Sequence, residues 1–183
     1  RFHKNDLQIF VSTSRINSMK KLILFTIFLL LFISRAEAMT LQQQINNHVS
    51  KSIKKLNLES KKDAFDADYF KYALKAKEVI TADINRDGVK DRIAVLDFCE
   101  ETTCHPTTMS TEVVVFIAKK DQTFKLLGSY FYSVMANVKK DKNGRIYVHQ
   151  YDYFDKDGHC CPSRLTKFNL HIKDGKLMSR KVN

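Results

Sequence analysis

Residues 83–91 read Asp-Ile-Asn-Arg-Asp-Gly-Val-Lys-Asp, so oxygen-bearing side chains recur at every second position, a glycine follows, and a carboxylate closes the run. Ca²⁺ is a hard cation that gathers carboxylate, amide and backbone oxygens from loops of this kind. With Asp83 as the first position, Asp83, Asn85, Asp87 and Asp91 stand at one, three, five and nine, and the Val89 carbonyl serves position seven. An EF-hand requires a bidentate Glu at position twelve, where this chain has Ala94, so the loop is not an EF-hand. The expectation is a structural Ca²⁺ that fastens residues 79–84 to the strand that follows. The competing reading is an ion-free turn held by Asx hydrogen bonds, with Gly88 at positive φ. Residues 155–158, Asp-Lys-Asp-Gly, share the look but lack the remaining ligands and read as an ordinary turn.

The second chemical group is sulfur. The chain has four cysteines, Cys99, Cys104, Cys160 and Cys161. An even number in an exported chain reads as two disulfides. A bond between the adjacent Cys160 and Cys161 would close a strained ring, so the expected bridges run from Cys99 and Cys104 across to the Cys160-Cys161 pair. Such a long bridge contributes about 4 kcal/mol on the chain-entropy model, against roughly 2 kcal/mol for the short loop from Cys99 to Cys104. A thiolate and imidazole site built from Cys104-His105 and His159-Cys160-Cys161 is the sharper alternative. Structural zinc usually takes cysteines spaced two to four residues apart, which neither pair supplies in C-x-x-C form, so Zn²⁺ is disfavoured.

Catalytic readings are thin. A cysteine nucleophile needs a thiolate activated by a neighbouring His. Cys104 with His105 and Cys161 with His159 offer the residue types, and disulfide formation would silence both. Ser110 and Ser163 lie in no G-x-S-x-G pattern. Carboxylate pairs at Glu100-Glu101 and at Asp152 with Asp155 read as solvated loop acids. Tyr147, His149, Tyr151 and Tyr153 share one face of a strand and make a candidate binding face.

These groups must be carried by recognisable elements. Leu41, Ile45, Val49 and Ile53 recur every four residues among polar neighbours, which predicts an amphipathic helix over about 40–56. Residues 59–66 read as a charged connector, and 68–77 as a second short helix whose end could instead be a strand. From Arg92 the preferred period becomes two, with strands at 93–98 and 113–117. Strands are expected at 124–127 and 130–138, with Gly128 bending or splitting them. Asn143-Gly144 predicts a hairpin joining 134–139 to 145–153, because both turn positions favour positive φ. Phe168, Leu170 and Ile172 alternate with polar residues, and Asp174-Gly175 turns that strand into a last one over 176–182. The fold class expected is α+β: one or two N-terminal helices packed on a meandering antiparallel sheet of about five to seven strands, stabilised by disulfides.

The first 38 residues set the compartment. Met19, Lys20 and Lys21 precede a 12-residue apolar block at 22–33, and Ala36-Glu37-Ala38 then supplies an A-x-A cleavage site. A spanning helix needs roughly 20 apolar residues, so the block reads as a signal peptide, residues 19–38, removed between Ala38 and Met39. Residues 1–18 read as a non-native upstream extension, and residues 39–183 as one domain. The expected location is the periplasm or the extracellular space. The whole chain carries 31 Lys and Arg against 20 Asp and Glu, and 25 against 18 from Met39 onward, a net charge of +7. That excess favours anionic envelope surfaces. No dense basic run with interleaved aromatics is present, which argues against nucleic acid.

The Asp83 loop resembles the single loops of FG-GAP repeats, over about a dozen residues. Together with the segment from Cys99 to Cys104-His105-Pro106, and Tyr151-Asp152-Tyr153 leading to Cys160-Cys161-Pro162-Ser163, it resembles a group of small exported bacterial proteins of unknown function. The resemblance implies no transferable activity. The functional expectation is therefore an exported binding protein whose partner is an envelope component or another protein. A small secreted hydrolase, or an inhibitor of a foreign hydrolase, is the alternative.

Overall fold

The helix begins where the sequence supplies a cap. Thr40 Oγ1 accepts a hydrogen bond from the Gln43 amide, 3.3 Å, and the Gln43 side chain accepts one from the Thr40 amide, 2.8 Å. This reciprocal pair satisfies two amides that the first turn would otherwise leave unmade. From there α1 runs over Leu41–Asp63 in the computed structural model, which describes residues 39–63, 71–102, 104–105, 108–158 and 161–182. It is longer than the sequence suggested. Residues 57–62 contain neither Gly nor Pro, and Lys55 pairs with Glu59 one turn on, 3.8 Å, so nothing stops the helix at Leu56.

Eight strands follow: β1 (Tyr72–Ala82), β2 (Asp91–Glu100), β3 (Ser110–Ala118), β4 (Phe124–Tyr132), β5 (Ala136–Lys140), β6 (Ile146–Asp152), β7 (Arg164–Lys173) and β8 (Lys176–Val182). They form two four-stranded antiparallel meanders, β1-β2-β3-β4 and β5-β6-β7-β8. The α+β class stands, but the single sheet of five to seven strands is corrected to two sheets of four. The reason is burial. β2 and β3 are buried on both faces, and one helix can cover only one of them. Leu41, Val49 and Ile53 of α1 pack with Ile45 against Ala94, Leu96, Phe98, Val114 and Phe116. The opposite face, with Ile93, Val95, Val113 and Val115, packs on Val138, Ile146, Val148 and Leu170 of the second sheet. The layers are thus helix, sheet, sheet, and the outer face of the second sheet has no described element over it.

The second helix expected over 68–77 is also corrected, since Tyr72 onward is strand; residues 64–70 lie outside the described set. Pairing with β2, from Tyr72 opposite Glu100 to Ala82 opposite Asp91, overrides the local helical pattern. A bulge at Lys75 shifts the register between Leu74 and Ala76. Before it Tyr72 and Leu74 pack on the helix side, and after it Ile80 and Ala82 pack on the second sheet. One inserted residue therefore lets a single strand serve both cores.

β4 runs unbroken through Gly128, with the irregularity taken up at Leu127. The Asn143-Gly144 hairpin forms, though not with two positive φ values. Only Gly144 is left-handed, φ 77°, and the Asp141 carboxylate organises the loop by accepting the Asn143 and Arg145 amides at 2.8 and 2.9 Å. Asp174-Gly175 is the turn in which both residues have positive φ, 52° and 71°. Met39–Asn183 forms one compact unit by itself.

Candidate functional site

The Asp83 loop joins β1 to β2, and its carboxylates are tied to its own backbone. Asp83 Oδ1 accepts the Asp87 amide, 3.1 Å, and its Oδ2 the Gly88 amide, 3.0 Å. Asn85 Oδ1 also accepts the Asp87 amide, 3.1 Å, while Asp87 Oδ1 accepts the Val89 amide, 2.8 Å, and its Oδ2 the Asn85 side-chain amide, 2.7 Å. Gly88 has φ 87° and Arg86 φ 61°. This is the Asx-turn network that the ion-free reading describes. Each carboxylate oxygen has a second lone pair, so the same cage leaves acceptor capacity on Asp83, Asn85 and Asp87. Asp91 plays a different part. It is fully buried, its Oδ2 accepts the Ile84 amide and its Oδ1 the Ala118 amide, both at 2.9 Å. Asp91 therefore ties the loop to the end of β3. Among the described residues no group of three or more His, Cys, Asp or Glu is arranged to hold a metal ion.

The cysteine pairing differs from expectation. Cys99 is bonded to Cys104, with Cα atoms 5.3 Å apart, so neither is free to bridge to the Cys160-Cys161 pair. Cys99 lies near the end of β2 and Cys104 in the connection that leads to β3, and their Cα separation is within disulfide reach. This short loop contributes about 2 kcal/mol rather than the 4 of a long bridge. Cys161 is disulfide-bonded too, while Cys160 and His159 lie outside the described residues. A thiolate nucleophile at Cys99, Cys104 or Cys161 is excluded while these bonds are intact. Ser163 is likewise engaged. Its hydroxyl and amide donate to Asp157, 2.7 and 2.9 Å, and the Phe154 amide adds a third bond at 2.8 Å. The Phe154 amide first, then Ser163, hold the Asp157 carboxyl below its usual range. As expected, residues 155–158 form a turn.

Tyr147, His149 and Tyr151 alternate with the buried Ile146 and Val148 on β6, which turns the three outward on the open face of the second sheet. Tyr153 lies one residue past the end of the strand. His149 is held below the usual imidazole range, by burial first and then by Lys167 and Lys139.

One constellation escaped the sequence. Glu112 on β3 is buried between helix and sheet, where His48 Nε2 meets Oε1 at 2.8 Å, Ser129 donates to Oε1 at 2.6 Å and Ser52 donates to Oε2 at 2.6 Å. Burial alone would raise Glu112; the bonds from His48, Ser129 and Ser52 outweigh it and hold the carboxyl below its ordinary value. A Ser, a His and a Glu meet here, but both serines and the histidine converge on the carboxylate. Among the described residues no serine hydrogen-bonds the imidazole, so the hub presents no hydroxyl activated as a nucleophile. The hub is a clamp between α1 and the first sheet. Its helix partners Ser52 and His48 lie 60 and 64 residues from Glu112 in sequence and Ser129 lies 17 away on β4, which is why no local pattern announced them. The cavity beside it, about 230 Å³, is bordered by Ser52, Leu56, Glu112 and Phe131.

Among the described residues no helix is long and apolar enough to cross a membrane. No family model matches the chain, and no curated protein or solved structure shows significant similarity to it.

Proposed function

We propose that this chain is an exported, disulfide-stabilised binding protein, and that it engages an envelope component or another protein through the outer face of its second sheet. The observation carrying this reading is the asymmetry of the layers. The first sheet is covered by α1 on one side and by the second sheet on the other, whereas Tyr147, His149 and Tyr151 stand on a face with no described element against it. Half-exposed tyrosines supply apolar area and a hydroxyl at low entropic cost, which suits recognition. The test is retention of the full chain on cell-envelope fragments. Tyr147→Ala with Tyr151→Ala should lower retention about tenfold with a near-wild-type melting curve, in line with the weight of interfacial tyrosines. Unchanged retention in the double variant would remove this face from the function.

Ca²⁺ at Asp83, Asn85, Asp87 and the Val89 carbonyl belongs to the same reading, as a structural ion bound to a turn already set by its amides; Asp91, expected as the closing ligand, is left out of this set because each of its oxygens already accepts an amide. A ligand that binds only the folded state raises stability in proportion to the logarithm of its concentration. Millimolar Ca²⁺ should therefore raise the melting temperature by several degrees, and Asp87→Ala should abolish the rise. A melt insensitive to both Ca²⁺ and chelator would leave the ion-free turn as the whole account.

A further inference from the structure

We propose that the outer face of the second sheet is a docking surface for an acidic polysaccharide, an assignment that rests on the binding reading above and names its ligand class. The strand register aligns Lys139, Tyr147, Asn169 and Arg180 in one row across all four strands. The neighbouring row holds Asn137, His149, Lys167 and Val182. At the usual strand separation a row spans about 14 Å, and the two rows lie about 7 Å apart. Beyond the first row the outward positions of β7 and β8 carry His171, Lys173, Lys176 and Met178. No outward position on these four strands is Asp or Glu. Lys139, Lys167, Lys173, Lys176 and Arg180 are exposed, and among the described residues none of the five forms an ion pair. His149 is lowered by burial first and then by Lys167 and Lys139, in keeping with that charge, and the nearest carboxylates, Glu78 and Asp97, belong to the first sheet and border only the β5 edge, in one cavity with Asn137 and Lys139.

The chemistry of the occupant follows from what else lies on and around this face. It must be anionic, because a sheet face holding only positive charges is destabilised by its own repulsion until an opposite charge arrives. A bilayer is disfavoured on shape and sign. Asp141 and Asp174 sit in the turns at one end of this half and Asp155 and Asp157 at the other, where a plane wider than the face would press on them, while Asp152 at the end of β6 falls on the inner side by alternation and pairs with Arg164, 3.9 Å. A twisted four-stranded sheet also meets a plane over only part of its area. A single chain laid along the rows meets neither obstacle. Nucleic acid would stack its bases on free ring faces, yet Tyr147 and Tyr151 are half-buried in the pleat. Between the cations lie Asn137, Asn169, His149 and the tyrosine hydroxyls, groups that match a polymer rich in hydroxyls as well as in carboxylate or sulfate.

Heparin, a sulfated polysaccharide of defined composition, is the probe, with uncharged dextran as its control. The full chain should bind heparin and not dextran, with affinity falling as salt rises. Lys139→Glu, Lys167→Glu and Arg180→Glu together should weaken binding by about 30-fold or more, because three attractive contacts become repulsive. Lys51→Glu, Lys54→Glu and Lys62→Glu on α1 alter the net charge equally at exposed positions and should change it by less than about threefold. Equal losses in the two triple variants would mean that net charge alone attracts heparin, and would overturn the proposal. So would tighter binding to phosphatidylglycerol vesicles or to single-stranded DNA than to heparin. If heparin is ignored while envelope retention still depends on Tyr147 and Tyr151, the polysaccharide is wrong and the binding face survives. If both fail, the face itself is discarded.

Discussion

Asp91→Ala is expected to destabilise the protein by about 3–4 kcal/mol, the cost of leaving one buried and one part-buried amide without acceptors and of losing two charge-assisted bonds. For a folded unit of this size that lowers the melting temperature by roughly 10–15 °C. The carboxylate has no exposed surface, and its oxygens take the Ile84 and Ala118 amides at 2.9 Å each. Asp91→Asn keeps one acceptor but points an N–H at the other amide, so it should cost about half as much. Asp83→Ala and Asp87→Ala remove bonds in the exposed part of the loop and should cost about 1 kcal/mol or less each in the absence of Ca²⁺. Urea unfolding of the four variants ranks them. An Asp91→Ala protein within about 1 kcal/mol of the wild type would mean that the bridge from loop to β3 does not hold in solution.

Glu112→Ala should cost about 3 kcal/mol at neutral pH, because His48, Ser52 and Ser129 lose a shared acceptor in a buried place. Its pH dependence is the more telling measurement. The folded carboxyl titrates below its ordinary value of 4.5, so the folded state binds this proton less readily than the unfolded chain. Its stabilisation is thus complete above about pH 4.5 and is lost as the pH falls through the depressed folded value. The stability difference between wild type and Glu112→Gln should shrink as the pH is lowered from 7 to about 3. A constant difference across that range would show that the hub does not bias the protonation of Glu112. Asp97 works in the opposite sense. Burial raises its carboxyl above 3.8, the Thr111 hydroxyl lowers it in part, and Glu78 raises it again. Its ionised form therefore costs stability above that raised value, and the cost is relieved as the pH falls through it. The wild-type profile alone would mix the two, which is why the variant difference is the quantity to follow.

The elements that carried strong local patterns were legible. The stripe of Leu41, Ile45, Val49 and Ile53 gave the helix, and the alternation of Phe168, Leu170 and Ile172 gave β7 with its outward polar side. Tyr147, His149 and Tyr151 could be placed together because strand periodicity alone puts alternate residues on one face. The start of β1 could not be placed. Tyr72 and Leu74 sit among Ala and Lys, which suit a helix, and only the β2 partner makes them strand. Likewise the Cys99–Cys104 bond depends on the distance between the two Cα atoms, 5.3 Å, which no sequence spacing reports.

What the chain determined by itself is local: a capped amphipathic helix, a run of alternating strands, and an Asp-rich loop whose side chains bond to amides a few residues away. Periodicity and turn chemistry act over one or two turns of backbone, so they can be read in order along the chain. Tertiary structure alone decided the split into two sheets, the hub at Glu112 and the identity of the uncovered face. Each of these depends on which buried surface meets which, and on amides or carboxylates brought together from distant positions. It also decided that Lys139, Lys167 and Arg180, scattered in sequence, stand together on a sheet face without a carboxylate.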